Sequence, residues 1–176
     1  MTIDACIVGC GARTVVGLRA WTTAAAVRAG ISRLGFHPEL LDKHGDELRV
    51  AMDSKIDETL EGVDRMRVLA EWPLAEACEP VAPFLSRAAV FLGLPEPRPG
   101  WSADAALTLA RDVVAKVTPA IPLDRVVALP HGNAAALMGM AQAIETVRLG
   151  DCDVALVGGV DSYLHVDTLE WLDDNG

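Results

Sequence analysis

The feature that most constrains the fold is a strand–turn–helix–turn–strand pattern within residues 124–162. Val126–Leu129 is a short apolar run with β-branched residues, which is typical of a buried strand. Residues 134–149 contain strong helix formers and no proline, and Gly150 follows as the predicted end of the helix. Residues 154–157 form a second apolar run. Since a helix joins the two runs, the pattern predicts parallel strands with a helix packed on their sheet.

The turn between this first strand and its helix consists of His131, Gly132 and Asn133. Asn is a good N-cap, so Asn133 is predicted to cap the helix. Residues 134–141 carry no polar side chain, which predicts burial of residues 134–140 on all sides. The free amides and the dipole of a helix N-terminus favour an oxyanion or a thiolate. The turn is therefore the first candidate for a site of chemistry.

The rest of the chain alternates apolar runs with helical patterns. This order predicts an α/β fold, a mostly parallel sheet with helices on both faces. The common sheet is predicted to contain residues 5–8, 88–92, 126–129 and 154–157. A further short apolar strand is expected at residues 48–52, at an edge of the sheet, and a loop at residues 31–45. The other predicted helices are residues 13–29, 63–78, 103–116 with Ser102 as its cap, and 165–172, followed by a turn at 173–176.

Composition excludes several classes of function. The net charge of −10 argues against a nucleic-acid partner, because such binding needs clustered Lys and Arg. No apolar run reaches 18 residues, so no membrane span is predicted. The four cysteines lack C-x-x-C pairs and zinc-finger spacing, which predicts no metal site and a reducing cytoplasm. Only Cys10, in a glycine turn, is expected to be exposed.

The opening of the chain resembles a dinucleotide-binding turn only in part. Gly9 and Gly11 fit the G-x-G-x-x-G pattern, but Thr14 stands where the third glycine belongs. No strand ending in an acidic residue follows at the required distance. A nucleotide site is therefore not expected, and no cofactor is predicted.

Several segments together resemble the β-ketoacyl synthase family, which has the thiolase-like fold. The most specific is ETVRLGDCDVALVGGVDS, and looser matches are ACIVGCGARTVVG, WTTAAAVRAGIS, VDRMRVLA and VFLGL. The resemblance implies that residues 1–176 are an N-terminal half domain, because family members are about twice as long and built from two similar halves. It also implies an acyl-thioester substrate or an acyl carrier protein as partner, in fatty-acid or polyketide-type metabolism, and a homo- or heterodimer.

The resemblance places the family's nucleophilic cysteine, which ends a Ser/Thr-Ala-Cys elbow, at Asn133. An amide cannot form an acyl thioester, and Cys152 lies beyond the other end of the helix. His131 is a candidate base, with Asp161 as a possible orienting carboxylate. A structural cap at Asn133 and a hydrogen-bonded turn at His131 are the preferred interpretations, because no base is evident. The sharper alternative is that the Asn133 amide stabilises an enolate oxygen.

Two hypotheses of function remain open from the sequence. The first is a β-ketoacyl synthase-like protein that does not condense acyl thioesters by itself, because the second half of the family fold supplies the catalytic histidines. The second is a non-catalytic subunit that pairs with an active partner and shapes the partner's acyl pocket. The apolar helix after the turn suits either hypothesis.

Overall fold

The computed structural model describes residues 5–175. A small antiparallel hairpin precedes a parallel sheet whose strands alternate with helices. The helices are α1 Ala20–Arg28, α2 Gly62–Cys78, α3 Ala103–Val117, α4 Ala135–Leu149 and α5 Val166–Asn175. The strands are β1 Leu34–Leu41, β2 Glu47–Ala51, β3 Ala88–Gly93, β4 Val126–Leu129 and β5 Val154–Gly159.

The larger sheet has three parallel strands in the order β4-β3-β5. Gly93 at the end of β3 is in register with Leu129 of β4 and with Gly159 of β5. The carboxyl ends of the three strands therefore lie side by side at one edge of the sheet. β3 is the central strand, and its apolar residues are buried because both of its faces are covered.

Helices cover both faces of this sheet. One core is formed by α2, α3 and one face of the strands, with Met66, Leu109 and Val113 almost fully buried. On the other face, Phe91 and Leu129 pack against Ala135 and Ala143 of α4. The α/β class with helices on both faces, predicted from the sequence, is confirmed.

Three of the four predicted sheet strands are confirmed, and the fourth is wrong. Residues 5–8 form no strand, and Ile7 is 84% exposed. An apolar run becomes a strand only when a neighbour pairs with its backbone, and residues 5–8 pair with neither edge strand of the sheet, β4 or β5. The prediction used local composition, which carries no information about pairing.

The loop predicted at residues 31–45 is also wrong, because β1 lies there and pairs antiparallel with β2. Pro38 lies within β1. A two-stranded sheet consists only of edge strands, where a missing backbone N–H is tolerated. The strand predicted at residues 48–52 is confirmed as β2, in this separate hairpin.

The predicted helices at residues 63–78, 103–116 and 134–149 are confirmed within one or two residues. Ser102 caps α3, since its Oγ accepts a hydrogen bond from the Ala105 amide at 3.2 Å. The helix predicted from residue 13 begins only at Ala20, where the Glu76 carboxylate accepts the Ala20 amide. The turn predicted at residues 173–176 is wrong in its described part, because α5 continues to Asn175.

None of the helices within residues 5–175 is both long enough and apolar enough to cross a membrane.

Candidate functional site

The turn from β4 into α4 is fixed by backbone hydrogen bonds to the loop after β3. The carbonyl of Leu129 accepts from the amides of Leu94 and His131, each at 2.9 Å. The Gly132 amide donates to the Leu94 carbonyl at 3.0 Å. These bonds hold the turn, residues 130–134, at the carboxyl edge of the sheet, and this turn is called the elbow below. Ligands in parallel α/β sheets commonly bind at that edge.

Two glycines permit the elbow. Gly132 has φ +62°, a left-handed conformation that side chains other than glycine rarely adopt. A Cβ placed on Gly93 would lie 2.7 Å from the Ala136 amide nitrogen, so the first turn of α4 packs directly on the end of β3. The start of α4 is therefore held close to the sheet, with little room for rearrangement.

Asn133 lies exposed in a short 3-10 turn, Gly132–Ala134, and does not cap α4 as predicted. The N-cap position is occupied by Ala134, which has helical dihedral angles and no side-chain oxygen to accept an amide. The 3-10 turn moves the helix start past Asn133, which the sequence pattern did not show. Among residues 5–175, no side-chain hydrogen bond engages Asn133, and its amide faces solvent at the elbow.

The second candidate, His131, is also exposed, and its predicted orienting partner is engaged elsewhere. Asp161 accepts two hydrogen bonds from Arg98, whose guanidinium also lies 4.2 Å from the centre of the Tyr163 ring. In the described part of the chain, no hydrogen bond joins Asp161 to His131. The structure brings His131 and Asn133 together on one turn, and no carboxylate among residues 5–175 makes a hydrogen bond with His131.

Glu96 is a carboxylate near the elbow that the sequence analysis missed. A Cβ placed on Gly132 would lie 3.4 Å from Glu96 Oε1, so this exposed side chain lies beside the turn. Glu96 belongs to the loop that follows β3, and β3 neighbours β4 in the sheet. The parallel order of strands was the available signal, because loops after adjacent parallel strands meet at one edge.

The predicted burial of residues 134–140 on all sides is wrong for this chain. Ala135, Gly139 and Ala143 face the sheet and are buried, whereas Leu137 is 70% exposed. Met138, Met140 and Ile144 are also exposed. A helix that packs on one sheet buries only the stripe that faces the sheet. The opposite stripe stays exposed even though its residues are apolar. This opposite stripe (Leu137, Met140, Ala141 and Ile144) is called the outer stripe of α4 below.

The cysteines provide no thiol within the elbow. Burial raises the pKa of Cys78 to about 11, and burial likewise raises the pKa of Cys152 above its ordinary value. Both Cys6 and Cys10 are exposed, so the expectation of Cys10 as the one exposed thiol is wrong. Gly9 and Gly11, which flank Cys10, lie against α2 and the turn after it. Within the described residues, no three His, Cys, Asp or Glu side chains are grouped to hold a metal ion.

The fold and the elbow together define the class of this α/β unit. A three-stranded parallel sheet with helices on both faces is consistent with the N-terminal half of the thiolase-like fold. Residues 127–176 match the family model described as "Beta-ketoacyl synthase, N-terminal domain". The matched segment begins within β4 and includes the elbow, α4 and β5, and it contains the motif that the sequence analysis ranked as most specific. The predicted family resemblance is therefore confirmed over this segment.

No curated protein sequence matches the chain.

Proposed function

We propose that this chain is a β-ketoacyl synthase-like protein of acyl-thioester metabolism that does not condense acyl chains by itself. The observation that carries the proposal is the elbow, where an exposed amide, Asn133, occupies the position that the resemblance assigns to the nucleophile. An amide has no thiolate to take up an acyl group. The proposal treats residues 1–176 as one ketosynthase-like half domain and places it in the cytoplasm.

The chemistry that suits an amide at this position is stabilisation of developing negative charge. When a malonyl thioester loses CO₂, the electron pair of the broken C–C bond moves into an enolate whose oxygen becomes negative. The Asn133 side-chain N–H is the proposed donor to such an oxygen, and the adjacent start of α4 adds a favourable dipole. His131, two residues earlier on the same turn, contributes a second polar group that faces solvent. The carrier-protein thioester is thus the proposed substrate.

A second candidate function is favoured by the exposed outer stripe of α4. Leu137 follows the elbow by one helical turn, and Met140 and Ile144 continue the stripe. An apolar stripe of this kind is typical of a surface that contacts another protein. In this alternative the chain is a non-catalytic subunit that forms a homo- or heterodimer and shapes the partner's acyl pocket.

An assay with malonyl- and acyl-loaded carrier protein separates the two candidates. We expect no condensation product from the unmodified chain. Release of CO₂ with formation of the acetyl thioester, lost in Asn133→Ala, supports the enolate role. The absence of CO₂ release, together with dimerisation that Leu137→Glu abolishes, supports the subunit role. A condensation product from the unmodified chain would show that Asn133 does not occupy the nucleophile position.

Alkylation by iodoacetamide tests the electrostatics of the elbow independently of any substrate. We expect Asn133→Cys to react about threefold to tenfold faster at neutral pH than Arg148→Cys, which places a thiol at the opposite end of α4. Adding Glu96→Gln to Asn133→Cys should increase the rate further, because the nearby carboxylate opposes thiolate formation. Equal rates for the two single variants would contradict the proposed field at the elbow. Even so, Asn133→Cys should not condense acyl chains, because one restored group rarely restores a catalytic unit.

A further inference from the structure

A cavity that does not include the turn residues His131–Asn133 lies between the N-terminal segment, β2, the start of α2 and α5. It is an open cleft of about 740 Å³, a size that is ordinary for a small-molecule site. Its charged lining residues include Arg13, Asp53 and Arg65. Neither the family resemblance nor the proposed function uses these three side chains.

The inner part of this cleft holds more positive than negative charge. Arg13 Nε donates to Asp53 Oδ2 at 2.9 Å, and both side chains are less than a tenth exposed. Arg65 is only 2% exposed. The Asp53 carboxylate is therefore paired with Arg13 alone, and Arg65 lies near enough for its pKa to respond to both charges.

Arg65 lacks an ion-pair partner among the described residues. Its one side-chain hydrogen bond there is a long donation from Nη1 to the Leu60 carbonyl, at 3.5 Å. Burial lowers the pKa of the Arg65 guanidinium, and the Asp53 carboxylate partly restores it, but an arginine keeps its charge in proteins. Arg65 Nε and Nη2 make no hydrogen bond with the described residues, so an anion that pairs with Arg65 would be favoured.

The other carboxylates that line the cleft are already engaged. Asp161 is paired with Arg98, and the Asp173 carboxylate accepts the backbone amide of Lys43, whose Nζ donates to the Asp173 main-chain carbonyl. Arg49 brings the arginines of the lining to three, against three aspartates, of which Asp161 is neutralised by Arg98. A local excess of positive charge is unexpected in a chain with a net charge of −10. Attraction of anions to this one cleft follows from that excess.

The remaining wall of the cleft is apolar. Leucine side chains from α2 and α5 and a valine from β2 line it, namely Val50, Leu69, Leu169 and Leu172.

We propose that the cleft binds a small organic carboxylate with an apolar body, whose carboxylate pairs with Arg65 and whose body lies against these side chains. The planar guanidinium suits a bidentate pair with a carboxylate. Inorganic phosphate matches the charge but not the apolar wall.

Isothermal titration of the whole chain with hexanoate tests this proposal, with hexanamide and inorganic phosphate as the comparison ligands. We expect hexanoate to bind, and hexanamide and phosphate to bind at least about tenfold more weakly. Arg65→Met should weaken hexanoate binding about tenfold or more, whereas Arg111→Met, an exposed arginine on α3, should leave it unchanged. Equal binding of hexanoate and hexanamide, or no binding of hexanoate to the unmodified chain, would overturn the proposal.

A second pair of variants guards against misfolding of Arg65→Met. Leu172 lines the cleft but is partly exposed on α5, so its substitution spares the buried charges. Leu172→Glu places a carboxylate in the cleft and should weaken hexanoate binding several-fold more than the matched neutral change Leu172→Gln. Identical affinities for these two variants would show that the ligand does not lie in this cleft.

Discussion

The ion pair between Arg13 and Asp53 gives the most demanding test of the structure. The perturbation is Asp53→Asn, which keeps the size of the side chain and removes its charge. The Asn oxygen can still accept the hydrogen bond that Asp53 Oδ1 receives from the Lys55 amide at 2.9 Å. The change therefore removes the buried negative charge together with the hydrogen bond that Arg13 Nε donates, because the Asn NH₂ group would face Arg13.

The expected cost follows from the burial of the cluster. With Asp53 neutral, the Arg13 and Arg65 guanidinium groups remain buried without a compensating carboxylate. Removing one partner of a buried pair costs about 3–5 kcal/mol of unfolding free energy. For a domain of this length, that corresponds to a fall in Tm of about 10 °C. Asp46→Asn, an exposed change in the hairpin turn, should cost less than about 0.5 kcal/mol.

Urea unfolding of Asp53→Asn, Arg13→Met and the double variant measures the coupling directly. We expect the double variant to lose at least about 1.5 kcal/mol less than the sum of the two single variants, because the second substitution removes the charge that the first left unpaired. Additivity within about 0.5 kcal/mol would refute the reasoning, since it would mean that the two side chains do not interact in the folded chain.

Four further predictions concern helix ends, thiol labelling and the pH dependence of stability. Glu76→Ala should lower the unfolding free energy by about 1–2 kcal/mol in urea, and Glu76→Gln by less, because this carboxylate accepts backbone amides at and before the start of α1. Ser102→Ala should cost about 1 kcal/mol and Ser102→Asp almost nothing, since either Ser or Asp can cap α3; equal losses would contradict capping. Iodoacetamide at pH 8 should label Cys10 in the folded chain but Cys78 and Cys152 only after denaturation, as checked by peptide mass spectrometry. Burial raises the pKa of Cys78 from 9.0 to about 11. The neutral, buried Cys78 thiol therefore stabilises the folded chain fully below pH 9, and urea unfolding should show this stabilisation being lost as the pH rises to about 11.

The parts of the fold that the sequence predicted well are those in which local pattern and packing agree. β3, β4 and β5 are short apolar runs between helices, and each finds a parallel neighbour. α2 and α3 carry apolar residues at helical spacing. Met66 and Ala70 of α2 and Leu109 and Val113 of α3 lie in the core as this spacing predicts, whereas Leu107, also predicted to face inward, is exposed. Hydrophobic periodicity shows which face of a helix or strand can be buried. The prediction is therefore correct where that face packs against a single layer of the fold.

The errors arose where pairing or tertiary contacts decide the outcome. Residues 5–8 have strand-like composition but no partner strand, whereas β1 contains Pro38 and pairs with β2 nevertheless. The first turn of α1 depends on Glu76, which lies 56 residues further along the chain. Local composition cannot supply such contacts, because they depend on which segments the fold brings together.

The candidate site was predicted in part for the same reason. The turn that holds His131 and Asn133 was found from its place between a strand and a helix, and it lies at the predicted edge of the sheet. Glu96 was missed because it lies in the loop after the neighbouring strand, β3, far from the elbow in sequence. Asp53 follows β2 in a stretch rich in acidic residues, but Arg13 makes it part of a buried cluster. Side-chain burial of charged residues follows from their partners, which the sequence order does not reveal.

Both candidate functions depend on what covers the outer stripe of α4. Its apolar residues begin one turn after Asn133, so whatever covers the stripe also borders the exposed amide. An acyl chain lying along the stripe would bring its thioester toward the elbow, where the amide could meet an oxyanion. A protein partner on the same stripe would instead enclose the elbow within an interface. Because both occupants bury the same apolar surface, stripe burial alone cannot distinguish them, and the response of CO₂ release to Asn133→Ala is the measurement that can.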